Sequence, residues 1–123
     1  MKKIISILLT ASCLLVFSCG KEGPGGKSAI KGYVKHHNNS IPNAVVYIKY
    51  GTKEQPGTDV TYYDASVNAD TSAYFEFIDL KRGDYYLFGV GFDSIMGAPV
   101  IGGVPVEIKK KTETIEVNVP VTE

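Results

Sequence analysis

Short segments of alternating apolar and polar residues, separated by turn residues, constrain the fold of this chain more than any other feature. In the last segment, Glu113–Val121, Ile115, Val117 and Val119 lie on one face and polar residues on the other. A side-chain period of two is typical of a half-buried β-strand. No stretch has helical periodicity of useful length, and the 8 Tyr and 13 Gly residues also favour strands and turns over helices. The chain is therefore predicted to be all-β.

Seven such segments follow one another from residue 28 onward, with Gly, Pro, Asn or Asp residues between them. This spacing is typical of an antiparallel sandwich. The segments are Ser28–His37, Ala44–Tyr50, Val60–Val67, Ala73–Ile78, Asp84–Phe92, Pro99–Lys109 and Glu113–Val121. The sequence thus predicts one seven-stranded antiparallel β-sandwich over residues 28–123.

The first 18 residues have a different composition from the rest. Two lysines at positions 2 and 3 precede an apolar run over residues 4–17, and the small Ser18 follows. This three-part pattern is typical of a secretory signal. The run is shorter than the roughly 20 apolar residues that a membrane-spanning helix needs. We therefore predict a signal peptide over residues 1–18, with a retained membrane anchor as the alternative.

The motif V-F-S-C at residues 16–19 resembles the lipobox of bacterial lipoproteins, in the form common in Bacteroidetes. The resemblance implies cleavage before Cys19 and acylation of that residue, which several acyl chains would hold stably in a membrane. Cleavage before Cys13 would instead leave residues 14–17 exposed on the mature chain. We expect an exported protein anchored in the cell envelope, at the outer membrane, by lipid on Cys19. The alternative is a plain signal peptide followed by an ordinary cysteine.

Residues 19–27 are predicted to connect the anchor to the domain. After Cys19 the sequence reads G-K-E-G-P-G-G-K, a composition typical of a flexible tether. The charged pair at 21–22 resembles the export signal of surface-displayed Bacteroidetes lipoproteins, so surface display is a further expectation. Loss of residues 1–18 leaves 11 basic and 13 acidic residues. With no basic stripe in the sequence, we do not expect nucleic-acid binding.

Four segments together resemble the carboxypeptidase-regulatory-like domain, a transthyretin-like (prealbumin-like) Greek-key sandwich of seven strands. They are I-K-G-Y-V at 30–34, I-P-N-A-V-V-Y-I at 41–48, N-A-D-T-S-A-Y-F-E-F at 68–77 and D-L-K-R-G-D-Y-Y-L at 79–87. The resemblance implies the fold and says little about function, because such domains accompany many proteins. It also implies no catalysis, since the active site of true carboxypeptidases lies in a separate domain.

Six residues within these motifs have expected structural roles: Gly32, Ala44, Asp70, Leu80, Gly83 and Tyr85. Gly32 allows close approach of another part of the chain, and Ala44 is small where the two sheets approach. Asp70 caps its turn, and Tyr85 resembles the tyrosine corner of Greek-key sandwiches. Ala73 stands where the family has a turn glycine, so this turn is the main departure from the pattern.

The sequence offers no catalytic constellation, and we expect neither an enzyme nor a cofactor. It contains no nucleophile elbow, phosphate loop or zinc motif. His36 and His37 are the only histidines. Adjacent strand residues point to opposite faces, which argues against joint metal binding. A solvated turn is therefore the expected environment of both, with a metal site as the alternative.

Two other sets of residues have a functional alternative to a plain structural role. The first comprises oxygen donors without the spacing of a calcium loop, which we interpret as turn caps: Asp59, Asp64, Asn68 and Asp70. The second consists of Lys31 or Lys35 with Asn118, residue types of the isopeptide bonds in B-type repeats of Gram-positive adhesins. The acidic residue that assists that reaction is absent from the expected position, which argues against the bond.

The aromatic residues of segment Asp84–Phe92 suggest a binding surface. Because a two-layer sandwich buries one face of each sheet, the outer face of this strand is predicted to form an exposed patch. Its expected members are Tyr86, Phe88, Val90 and Phe92, joined by Tyr47, Tyr62 or Tyr63. Burial by a bulge or by the loop over residues 93–98 is the alternative. We hypothesise a non-catalytic interaction module that binds an envelope protein, with a glycan, peptide or small ligand as the alternative partner.

Overall fold

The computed structural model describes residues 22–123. The predicted signal peptide, Cys19 and the first tether residues lie outside the described residues. The described part forms nine strands: β1 Pro24–His36, β2 Asn39–Ser40, β3 Val45–Tyr50, β4 Ala65–Asn68, β5 Tyr74–Leu80, β6 Gly83–Asp93, β7 Ala98–Ile108, β8 Thr114–Glu116 and β9 Val119–Pro120. A 3₁₀ helix, Val60–Tyr62, precedes β4. Within residues 22–123, no helix is long and apolar enough to cross a membrane.

The strands form two sheets, which confirms the all-β sandwich. The four-stranded sheet has the order β4-β3-β6-β7, and all its pairs are antiparallel. In the second sheet, β1 pairs antiparallel with β2 and β5. The C-terminal segment pairs with β1 in parallel, and residues 117–118 divide it into β8 and β9. Alternation along a strand does not encode the direction of its partner, so the sequence could not predict this parallel pairing.

The hydrophobic core lies between the sheets and follows the predicted alternation. Val46 and Ile48 of β3 and Leu87 of β6 face inward from the four-stranded sheet, and all three are fully buried. From the other sheet, Ile30 and Phe75 face them. Full burial of each such side chain stabilises the fold by about 1.5–3 kcal/mol.

The structure differs from the sequence prediction at the start of the domain. Strand β1 begins at Pro24, so residues 24–27 belong to a sheet although they were expected to form part of a tether. The Gly23 carbonyl accepts a hydrogen bond from the Lys81 amide at 2.9 Å. A Cβ at Gly26 would overlap the Leu80 carbonyl. Glycine here permits close approach between strands, a role that composition alone does not distinguish from flexibility.

The predicted strand Val60–Val67 is also only partly a strand. Asp59 caps the 3₁₀ helix that replaces its first half, because its carboxylate accepts hydrogen bonds from the Thr61 amide and hydroxyl. Strand β4 then occupies residues 65–68 and pairs with β3. A side chain that bonds the nearby backbone competes with strand pairing, which explains the irregular alternation of this segment.

Three of the motif residues, Leu80, Gly83 and Tyr85, lie at the turn between β5 and β6. The Tyr85 hydroxyl donates to the Lys81 carbonyl at 2.5 Å and accepts from the Gly23 amide at 3.0 Å, the contact expected of a tyrosine corner. Leu80 is buried beneath this turn, and Gly83 begins β6 with φ of 142°. Ala44 is buried at the start of β3.

The turn before β5 depends on Asp70 and Ala73. Asp70 Oδ1 accepts hydrogen bonds from the Ser72 amide at 2.8 Å and the Tyr74 amide at 3.0 Å. A hydrogen bond from the Ser72 hydroxyl lowers the pKa of Asp70 most, and the bonds from the Tyr74 and Ser72 amides lower it further. Ala73, in place of the family's glycine, adopts a left-handed conformation with φ of 70°. The turn is therefore closed by carboxylate hydrogen bonds despite the less favourable residue.

The close approach of another part of the chain to Gly32 can be tested by substitution. The backbone of Val117 crosses directly over it, and a Cβ at Gly32 would overlap the Val117 carbonyl. Gly32→Ala is therefore expected to lower the free energy of unfolding by about 2–3 kcal/mol, because backbone must move to admit the methyl group. Gly97→Ala is the control, since a Cβ there meets no atom within 4 Å and only backbone strain of about 1–2 kcal/mol remains. Urea denaturation measures both, and equal costs would contradict the packing described for Gly32.

Candidate functional site

The outer face of the four-stranded sheet carries the predicted aromatic residues. Strand β6 pairs with β3 and β7 without a register shift, so Tyr86, Phe88 and Phe92 point away from the core. Tyr47 of β3 lies opposite Phe88 and shares this face. The sequence therefore assigned all four residues to the correct face of the sheet.

Phe88, however, is not exposed. Only 1% of its surface is accessible, and its ring stacks on Tyr63 with 5.4 Å between centroids. Tyr63 also lies 6.0 Å from the Tyr47 ring, and its hydroxyl donates to the Gly57 carbonyl at 2.8 Å. Burial raises the pKa of Tyr63 to about 12. The prediction of exposure was wrong for Phe88 because the segment before β4 folds over it, and not the loop over residues 93–98.

The other aromatic residues of this face differ in exposure. Tyr47 and Tyr86 are half-buried, and the Tyr86 ring lies across Gly103 of β7. Burial raises the pKa of the Tyr86 hydroxyl. Phe92 remains 55% exposed. Its cross-strand partner is Pro99, which is exposed as well.

Phe92 lies within a wider apolar surface that we call the Phe92 patch. The patch comprises side chains that pairing across β3, β6 and β7 places on one face: Val45, Val90, Phe92, Pro99 and Ile101. The adjoining β6–β7 turn exposes Ile95 by 78% and Met96 by 52%. Contiguous exposed apolar surface marks an interaction site more often than scattered single residues do.

A cluster of buried polar side chains lies at the same end of the molecule. His36 is fully buried, and its Nδ1 lies 2.7 Å from Asp93 Oδ2. Its Nε2 lies 2.8 Å from Glu123 Oε1. Asp93 is itself buried, and its other oxygen accepts from the Ile95 and Met96 amides at 2.9 and 3.1 Å. The expected solvated turn was therefore wrong for His36, although His37 is exposed.

His37 lies beside His36 because its backbone is not extended. Its φ is 55°, and the two ring centroids are 4.4 Å apart. Side chains of adjacent residues point to opposite faces only where the backbone is extended. One ligand atom from each of His36, His37 and Glu123 lies within 4.8 Å of the other two. Alternation of side chains therefore does not separate His36 from His37 at this position.

The two carboxylates determine the charge of His36. The hydrogen bond to Asp93 raises the pKa of His36 most strongly, and Glu123 adds to the effect against the opposing desolvation. In return, His36 lowers the pKa of Asp93, helped by the Met96 amide. The neighbouring Glu123 also has a lowered pKa, from a backbone hydrogen bond first and from His36 second. These shifts favour an imidazolium held between two carboxylates.

Several other residues singled out in the sequence have hydrogen-bond partners within the domain. Asp64 Oδ2 accepts from the Tyr50 amide at 2.8 Å, and Asp59 and Asp70 accept bonds within their own turns, as described above. Asn118 Oδ1 accepts from the Tyr33 amide at 3.2 Å. Lys35 Nζ donates to the Ser40 hydroxyl at 3.2 Å. These bonds direct the side chains of Lys35 and Asn118 to other partners and not to each other.

The opposite end of the sandwich carries a basic cleft. Its volume is about 540 Å³, and its lining residues are Gly26, Lys27, Lys81, Arg82, Lys111 and Thr112. Among the described residues, none of these four cations has a carboxylate oxygen within 4.0 Å. The cleft lies beside the start of β1, where the described chain begins.

Comparison with known proteins supports the fold. No family model matches the chain, and no curated protein matches its sequence. The structure is similar to the crystal structure of a candidate carbohydrate-binding protein from Pseudomonas aeruginosa, with a TM-score of 0.56 and 14% sequence identity. The similarity covers 80% of this chain and 90% of that one. At this identity the comparison shows a shared β-sandwich fold, and the likeness to the carboxypeptidase-regulatory-like family stays a prediction.

The His36–Asp93 pair makes stability depend on pH. The pKa of His36 is raised from 6.5, so its contribution is complete below pH 6.5 and is lost as pH rises through the raised value. The pKa of Asp93 is lowered from 3.8, so its contribution is present above pH 3.8 and is lost as pH falls through the lowered value. The pair therefore stabilises the fold most between these limits.

The expected result is that Asp93→Asn lowers the melting temperature most between pH 4 and 6.5, and progressively less at alkaline pH. Asparagine keeps an acceptor for the Ile95 and Met96 amides but loses the charge. Thermal denaturation in chelator-containing buffers from pH 4 to 9 measures the effect. Glu76→Gln is the control, because it removes the same charge from an exposed position on β5. A difference between Asp93→Asn and the unmodified protein that does not vary with pH would contradict the ion pair.

Proposed function

We propose that this chain is a lipid-anchored, non-catalytic binding module of the bacterial cell envelope, and that the Phe92 patch binds a protein partner. The observation that carries this proposal is the 55% exposure of Phe92 on an apolar sheet face. Phe92 takes no part in the hydrophobic core between the sheets. A central aromatic ring surrounded by aliphatic side chains is typical of the core of a protein–protein interface.

The position of the patch along β6 supports anchoring through Cys19. Glu22 follows Cys19 by three residues, which span about 10 Å when fully extended. Glu22 Oε2 accepts from the Asp84 amide at 3.2 Å, so the anchor would lie beside the first residues of β6. Phe92 follows Gly83 by nine residues, about 30 Å further along the strand. A lipid on Cys19 would therefore leave the Phe92 patch directed away from the membrane.

The basic cleft also supports an anchored orientation. Lys27, Lys81, Arg82 and Lys111 lie at the end that the lipid would hold against the membrane. Unpaired lysines and arginines near an anionic surface each favour association by about 1 kcal/mol. The charge distribution of the domain is thus compatible with the lipid anchor and with the apolar patch at opposite ends.

A glycan is the second candidate ligand. The half-buried Tyr47 and Tyr86 place aromatic rings and hydroxyl groups on the same face as Phe92. On the adjacent strand β4, Ser66 and Asn68 are exposed beside them. Aromatic surface with a few polar groups is typical of small-ligand sites. The structurally similar protein from Pseudomonas aeruginosa is itself a candidate carbohydrate-binding protein.

Phe92→Ser is expected to weaken partner binding at least tenfold, because it removes the central ring of the patch. Ile78→Ser is the matched control: Ile78 is 61% exposed on β5, in the other sheet. The detergent-purified protein and both variants are immobilised, and binding of envelope proteins and of an array of glycans is quantified. Protein binding lost only with Phe92→Ser supports the first candidate, and glycan binding lost in this way supports the second. Equal binding by both variants would contradict the Phe92 patch as the contact surface.

The anchor is tested separately from the patch. Cys19→Ala removes the thiol that would be acylated, so the protein is expected to lose its lipid and to move from the membrane to the soluble fraction. Mass spectrometry of the N-terminal peptide and fractionation of cells measure these outcomes. Retention of Cys19→Ala in the membrane without lipid would contradict the proposed anchor.

A further inference from the structure

We propose that His36, His37 and Glu123 form a binding site for a divalent transition-metal ion of the zinc class. Their three ligand atoms lie within 4.8 Å of one another. His37 contributes because its left-handed backbone, with φ of 55°, brings its ring to the side of His36. None of its three ligands belongs to the Phe92 patch or to the lipid anchor.

His36 is oriented as a metal ligand by a carboxylate behind it. Asp93 accepts a hydrogen bond from Nδ1 at 2.7 Å, which leaves Nε2 as the nitrogen directed toward Glu123. Metal-ligating histidines commonly donate their other ring N–H to such a carboxylate, which fixes the tautomer and the ring orientation. Asp93 is in turn held by the Ile95 and Met96 amides, so the support of the ligand is rigid and buried.

The metal would replace a proton. Without metal, the Nε2 proton occupies the 2.8 Å gap between His36 and Glu123 Oε1. Two ligands at about 2.0–2.1 Å from a tetrahedral ion are roughly 3.3 Å apart, so the gap must widen by about 0.5 Å. The Glu123 side chain is 46% exposed and can move, whereas His36 is fixed. On binding, Nε2 releases its proton to solvent and its lone pair coordinates the ion.

The ligand types determine the class of ion. Two imidazole nitrogens and one carboxylate suit Zn²⁺, Ni²⁺ or Cu²⁺, whereas Ca²⁺ and Mg²⁺ prefer oxygen ligands only. Three protein ligands leave a fourth tetrahedral position for water or for a group from outside the chain. The ion would join the end of β1 to Glu123, next to the β6–β7 turn.

Titration calorimetry with Zn²⁺ tests the site on the full chain, purified in detergent without a histidine tag. One ion per chain is expected, with at least tenfold weaker binding by His37→Ala and by Glu123→Gln. Both residues are exposed, so neither change should unfold the protein, as replacement of the buried His36 would. Asp93→Asn is expected to weaken Zn²⁺ binding about 10–100-fold, because the carboxylate that orients the His36 ring is lost. Glu116→Gln, exposed on β8, is the control of equal charge change.

Co²⁺ provides a second measurement that reports on coordination. The expected visible absorption is that of a tetrahedral cobalt site, and it should be absent from His37→Ala. Absence of Zn²⁺ binding, or equal binding by His37→Ala, Glu123→Gln and Glu116→Gln, would overturn the proposal. Binding of Ca²⁺ in preference to Zn²⁺ would also overturn it. Ile78→Ser, on β5 of the other sheet, should bind Zn²⁺ normally. Zn²⁺ binding is measured without any partner, so failure of the metal site and failure of the Phe92 patch are distinguishable.

Discussion

Side-chain hydrogen bonds at the two ends of β1 tie the two sheets together. At one end, the Gly23 amide that precedes β1 donates to the Tyr85 hydroxyl of β6. At the other end, His36 donates to Asp93, the last residue of β6. All other strands of the second sheet pair with β1. The position of that sheet over the core therefore depends on these two polar contacts, on the backbone bridge between Ile101 of β7 and Thr122, and on apolar burial.

The period-two alternation allowed most of the fold to be predicted. It assigned the strands that contain Val46, Leu87 and Ile30, and it put Tyr86 and Phe92 on the outer face. The predicted positions of these elements agree with the structure to within a few residues at most ends. Alternation succeeds because each sheet has one buried face, so the side-chain pattern follows directly from the layer architecture.

The residues of the two candidate sites were harder to predict from the sequence. Asp93 lies 57 residues from His36, and no spacing rule connects them. The left-handed backbone of His37 reverses the expected direction of its side chain, and its sequence context did not indicate this. Tyr63 covers Phe88 because the preceding segment folds back over the sheet, a tertiary contact without a local pattern. The Phe92 patch stays exposed because β6 and β7 extend beyond the segment that covers Phe88.

The domain has two chemically different ends along β6, and we propose that a partner contacts the end that contains Phe92. Site-specific photo-crosslinking in living cells tests this claim most directly, with a photoreactive amino acid placed at position 92 and, as control, at position 78. One defined crosslinked product is expected from position 92 and not from position 78. The same products from both positions, or none from position 92, would contradict it.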